Sequence, residues 1–129
     1  MIQIFDVVKM YDGSNPVLDN VSMEIAKGEF VFLTGPSGAG KTTVLKILLG
    51  WESFDKGQVL VRGMNVGKIT NRNIYILRRS MGVVFQDYKL LQNKTVFENI
   101  SFAQEVIGRD RKSIRFKTWE ILKNVGLTP

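Results

Sequence analysis

One stretch restricts this chain more than any other: Gly35-Pro36-Ser37-Gly38-Ala39-Gly40-Lys41-Thr42-Thr43. It fits the phosphate-binding pattern G-x-x-x-x-G-K-[ST], with Gly35, Gly40, Lys41 and Thr42 at the fixed positions. The flanks suit that reading. Phe30-Val31-Phe32-Leu33 is a continuous apolar run, as expected of a parallel strand buried on both faces. Val44 to Leu49 continues as helix, and Gly50 is placed to stop it in a left-handed conformation. A triphosphate carries dense negative charge and must be wrapped at close range. Glycine lets the backbone approach without a Cβ. Successive N–H groups then make an anion nest at a helix N-terminus. Lys41 can reach the β- and γ-phosphates, and the Thr42 hydroxyl can ligate Mg²⁺. Ser37, Gly38 and Thr43 complete the candidate phosphate-binding set.

The chain has 129 residues, the length of one domain. It has no cysteine and no histidine, which excludes disulfides, thiolate metal sites and the commonest zinc ligand. A metal here is expected to be a hard, oxygen-bound ion such as Mg²⁺. No apolar run is long enough to span a membrane. The opening Met1-Ile2-Gln3-Ile4-Phe5-Asp6 lacks the regions of a signal peptide, so a cytoplasmic location is expected. The net charge of +6 could serve nucleic acid or an anionic membrane face. The charges are spread rather than run together, which favours solvated helix faces and no specific nucleic acid. Asn93-Lys94-Thr95 and Asn99-Ile100-Ser101 match the glycosylation triplet, but without a secretory signal they read as coincidence.

Ile2-Gln3-Ile4 and Val21-Ser22-Met23-Glu24-Ile25 alternate and read as half-buried strands, with a turn cluster at Asp12 to Pro16 between them. Gln58 to Val61 is a further strand. The alternation predicts an antiparallel layer beside a parallel core. A short helix is expected from Asn73 to Ser80. Met81 to Phe85 reads as a second buried parallel strand, with Gln86 at its carboxyl end, where ligands bind in open α/β sheets. Thr95-Val96-Phe97-Glu98 is a capping box opening a helix to about Ile107. A last helix carries Ile114, Ile121, Leu122 and Val125 at helical spacing, ending at Gly126. Phe116 and Trp119 beside that stripe read as packing residues.

Together, Tyr11 before a Gly-containing turn, the phosphate loop and Val84-Phe85-Gln86-Asp87 resemble the ATP-binding-cassette (ABC) ATPases. Within that family, Phe32 to Thr43, Leu77-Arg78-Arg79, Val83 to Leu91 and Thr95 to Ile100 resemble its bacterial cell-division members, and lipoprotein-releasing and macrolide-export ATPases share much of this pattern. The resemblance implies the α/β fold of a P-loop NTPase core with an antiparallel β layer and the start of a helical subdomain. The core and layer would span about 1–92 and the helical start about 93–129. It implies ATP and Mg²⁺ as cofactors, with Tyr11 stacking on adenine and Gln86 contacting Mg²⁺ and the attacking water. It also implies a head-to-tail homodimer and an integral membrane partner. The location would then be peripheral, on the inner face of the plasma membrane.

The resemblance also marks what these residues lack. There is no Leu-Ser-Gly-Gly signature, no strand ending in Asp-Glu and no switch histidine. Hydrolysis needs carboxylates beside the water and Mg²⁺. The chain is therefore expected to be the front part of a longer ATPase and not to turn over ATP alone.

Overall fold

The computed structural model describes residues 1–11, 13 and 15–127. Asp12 and Ser14 of the expected turn cluster lie outside the described residues. Residue contacts divide the chain into two units, 1–83 and 84–129.

The first unit is built on a four-stranded antiparallel sheet in the order β2-β1-β3-β4. β1 runs Ile2–Met10, β2 Pro16–Ile25, β3 Lys56–Val61 and β4 Met64–Asn65. The antiparallel layer is thus present, and both of its first strands outrun the expected spans. β1 is central. Its Ile4 faces Met23 of β2 on one side and Val59 of β3 on the other. The sequence alternation stops at Phe5-Asp6 because a bulge lies there, and both ladders shift register across it. Asp6 takes φ 46°. Its N–H donates to Ser22 Oγ at 2.8 Å, and that hydroxyl donates to Asp6 Oδ1 at 2.9 Å. Beyond the bulge, Val7 and Lys9 resume the inward positions. Gly57 sits opposite. A Cβ there would overlap the Phe5 and Asp6 carbonyl oxygens.

Helix α1 (Lys41–Leu48) lays one face against this sheet. Val44, Ile47 and Leu48 join Ile4, Val7, Leu18, Val59 and Val61 in a single buried cluster. Burying each such side chain contributes roughly 1.5–3 kcal/mol. Gly50, at φ 61°, ends the helix as expected. Its N–H reaches Ile47 O at 2.9 Å, and that of Trp51 reaches Lys46 O at 2.8 Å, a Schellman closure. Helix α2 (Ile74–Arg79) buries Leu77 in the same cluster. Its Arg78 donates to the Leu49 and Gly50 carbonyls at 3.3 and 3.1 Å, which covers the end of α1.

The two apolar runs expected as buried parallel strands are not strands here. Neither Phe30–Leu33 nor Met81–Phe85 joins a ladder. Phe30 is 82% exposed, Phe32 77% and Val84 99%. Parallel pairing needs neighbours on both sides and cover on both faces. Among the described residues the only sheet is the antiparallel one, so nothing supplies either.

The second unit contains α3 (Val96–Val106) and α4 (Arg111–Asn124). The capping box is formed as read. Thr95 Oγ1 accepts from Glu98 N at 3.2 Å, and Glu98 Oε2 accepts from Thr95 N at 2.8 Å. Asp110 caps α4 by accepting from Ser113 N at 3.0 Å. The buried stripe of α4 is Ile114, Thr118 and Leu122 rather than the expected set, since Ile121 and Val125 are exposed. Four-residue steps keep Thr118 on that face. Its hydroxyl accepts from Gln104 Nε2 of α3 at 3.2 Å, so a polar contact holds the middle of the seam. Trp119 packs on Phe97, with ring centroids 5.4 Å apart, as a packing role predicts, whereas Phe116 is 74% exposed. Gly126 closes α4 at φ 72°.

Gly57→Ala should destabilise the first unit by about 1–3 kcal/mol, through strain at its φ of 96° plus the carbonyl overlap. Gly63→Ala, with a similar φ but open space, should cost less. Paired urea melts would measure the difference.

Candidate nucleotide site

The phosphate loop joins the sheet to α1 through Gly40. This residue precedes the helix at φ 83°, in the left-handed region. A Cβ on it would lie 2.7 Å from Leu18 Cδ2 and 2.8 Å from the Val17 carbonyl oxygen. Glycine is therefore required twice over, for conformation and for close approach to β2. Gly35 and Gly38 also take positive φ, and Ala39 N donates to Pro36 O at 3.3 Å to turn the loop.

No side chain caps α1, and no acidic residue stands in its first turn. The amides of Lys41, Thr42 and Thr43 precede the first intrahelical bond, which Val44 N makes to Gly40 O at 2.9 Å. A helix start left open in this way, at the end of a glycine loop, is an anion cradle. Lys41 already bends over the loop. Its Nζ donates to Gly35 O at 2.8 Å and to Pro36 O at 2.7 Å. Ser37 and Thr42 are exposed, and Thr43 is buried. These residues fit a polyphosphate chain with its metal. Among the described residues no group of three or more acidic side chains is placed to hold a metal. A cation here would rest on the Thr42 hydroxyl and on the nucleotide itself.

Tyr11 belongs to the same unit and lies beside α1. Its hydroxyl is 3.5 Å from Thr43 Oγ1 and donates to Glu52 Oε2 at 3.3 Å. The Lys9 ammonium sits 4.9 Å from the Tyr11 ring centroid and pairs with Glu52 Oε1 at 3.0 Å. That hydrogen bond from Lys9 holds the Glu52 carboxyl below its ordinary range. Asp55 anchors the end of β1, its Oδ2 accepting from Met10 N at 2.7 Å. Lys9 and Glu52 were not singled out by sequence reasoning. The signal was faint, because the bulge hides which face Lys9 takes.

Gln86 belongs to the second unit. It is exposed and stands in a turn, not at the end of a paired strand. Tyr88 and Lys89 follow in left-handed conformations, and Lys89 pairs with Asp87 at 2.5 Å. This segment is tied down by Asn99, another residue whose role sequence reasoning did not reach. Asn99 Oδ1 accepts from Leu91 N at 2.8 Å. Its amide group donates to the carbonyls of Leu91, Lys94 and Thr95 at 3.2, 3.1 and 2.9 Å. Glu98 beside it is held below the ordinary carboxylate range, chiefly by the Thr95 backbone N–H. Its stabilising part is therefore present at neutral pH and is lost as pH falls through that lowered value.

Comparison with known proteins agrees with this geometry. The ABC transporter family model matches residues 18–129. The cell division ATP-binding protein FtsE of Streptococcus pneumoniae serotype 2 is 49% identical over 98% of this chain and 55% of its own length. The methionine import ATP-binding protein MetN of Clostridium tetani is 39% identical over 98% of this chain and 40% of its own. A solved dimeric ATP-binding cassette, in a post-hydrolysis state bound to ADP and Pi, superposes with a TM-score of 0.83. It is 28% identical over 95% of this chain and 56% of that one. The chain thus spans about half the length of the relatives it matches, and its fold is that of a partial ABC ATPase core.

Gly40→Ala should lower stability by at least about 1 kcal/mol and weaken nucleotide binding. Gly38→Ala, equally left-handed but facing open space, should disturb stability less, as thermal melts would show. Asn99→Asp replaces a donor facing three carbonyls with an acceptor. It should destabilise the second unit by about 1–3 kcal/mol in urea unfolding, more than Asn99→Ser does.

Proposed function

We infer the function from the family: this chain belongs to the ABC transporter family of ATP-binding proteins. Within it, the chain is the nucleotide-binding part of a cell-division ATPase of the FtsE kind. The observation that carries this reading is the 49% identity to FtsE across nearly every residue, set beside 39% to MetN. The geometry of the loop supports it. The cradle at Gly35 to Thr43 would hold the phosphates of ATP, with Lys41 neutralising them and Thr43 closing the first turn. The Thr42 hydroxyl would hold Mg²⁺, which would supply neutralising charge to the polyphosphate. Tyr11 would stack on the adenine ring, and Gln86 would orient the attacking water.

The partner in this reading is an FtsX-like integral membrane protein. ATP binding and hydrolysis would drive it from the inner face of the plasma membrane, through a head-to-tail homodimer. No helix of the described residues is long and apolar enough to cross a membrane. The likeness to the methionine import protein MetN favours one alternative, the ATPase of a transporter.

Lys41→Ala should weaken ATP binding by roughly ten- to a hundredfold, the worth of one charge-assisted contact. Equilibrium binding of ATP would check it, and unchanged affinity would remove the nucleotide assignment. Affinity capture from membranes separates the two readings: FtsX for cell division, a permease for transport.

A further inference from the structure

We propose that Lys9 and Glu52 are positioning residues for nucleobase recognition, holding the Tyr11 ring so that one face is left for a base. The inference rests on the reading that Tyr11 stacks on the adenine.

Lys9 points inward from β1 and is only 6% exposed. Burying an ammonium is costly unless it is paired, and an apolar side chain would fill the same space more cheaply. What the ammonium does there is specific. It binds Glu52 Oε1 at 3.0 Å while lying 4.9 Å from the Tyr11 ring centroid, within cation–π range. The other oxygen of the same carboxylate accepts the Tyr11 hydroxyl at 3.3 Å. One carboxylate therefore fixes both the cation over the ring face and the ring's outer edge. The hydroxyl also touches Thr43 Oγ1 of α1, at 3.5 Å, so the ring is referenced to the phosphate loop's own helix. Tyr11 remains 48% exposed, which leaves surface for a flat ligand. A ring tied at its face and edge gives up little freedom on binding, and affinity gains by that difference.

The test compares Mg-ATP with Mg-tripolyphosphate, which has the phosphates and no base. Lys9→Met should weaken ATP about fivefold and leave tripolyphosphate unchanged, and Lys9→Arg should restore ATP binding. Glu52→Gln should fall in the same direction as Lys9→Met. If Lys9→Met does not fold, Lys9→Met/Glu52→Gln, which leaves no charge unpaired, is measured and read in the same way. Equal weakening of both ligands would mean a structural role and overturn the proposal. So would an unchanged ATP affinity in Lys9→Met beside a weakened one in Tyr11→Ala. If Tyr11→Ala itself leaves the ratio of the two affinities unchanged, the base-stacking reading fails, and this inference fails with it.

Discussion

The first unit depends on the close approach of Gly40 to β2. The Val17 carbonyl and the Leu18 side chain occupy the space that any Cβ would need. This contact fixes the start of α1 on the antiparallel layer. It matters because the run leading into the loop, Phe30–Leu33, joins no ladder and is exposed. The loop is therefore held from the helix side. Val44, Ile47 and Leu48 bury that helix on the sheet, and Arg78 covers its far end. A loop with few contacts of its own thus inherits its position from a packed helix, and so can keep its backbone amides open for a ligand.

The same sheet delivers a second element to the site. The bulge at Asp6 changes which residues of β1 face inward, and that change brings Lys9 to the interior. A charge in the interior requires a partner, and Glu52, in the connection after α1, provides it. Tyr11 is drawn into the pair. A backbone irregularity near the start of the chain therefore decides how an aromatic ring is presented beside the phosphate loop.

What could be read from the sequence was local. The loop, the left-handed stops at Gly50 and Gly126 and the Thr95–Glu98 box depend on residues a few positions apart, so spacing alone reveals them. Much else was non-local. Whether Phe30–Leu33 pairs depends on which strands lie beside it, and an apolar run carries no record of that. The Lys9–Glu52 pair joins residues far apart in sequence. Asn99 could be read as one polar residue in a chance triplet, because its four bonds arise only when residues 91–95 fold back onto α3. The stripe on α4 departs from the apolar spacing for a related reason. Thr118 is polar in the sequence, and it is buried because Gln104 meets it. Gln86 marks the same limit, since the residues around it form a turn where a paired strand was expected.

Lys41 bends back onto the Gly35 and Pro36 carbonyls, and this bears on selectivity. Two of its three donors are engaged before any ligand arrives. A visiting anion must displace two short bonds to engage it. A lone phosphate or sulfate has few contacts to offer in exchange, whereas a polyphosphate can draw on the open amides of α1 at the same time. If the cradle takes a nucleotide as proposed, the lysine would set a threshold, favouring ligands long enough to fill the cradle and displace those bonds together over small anions.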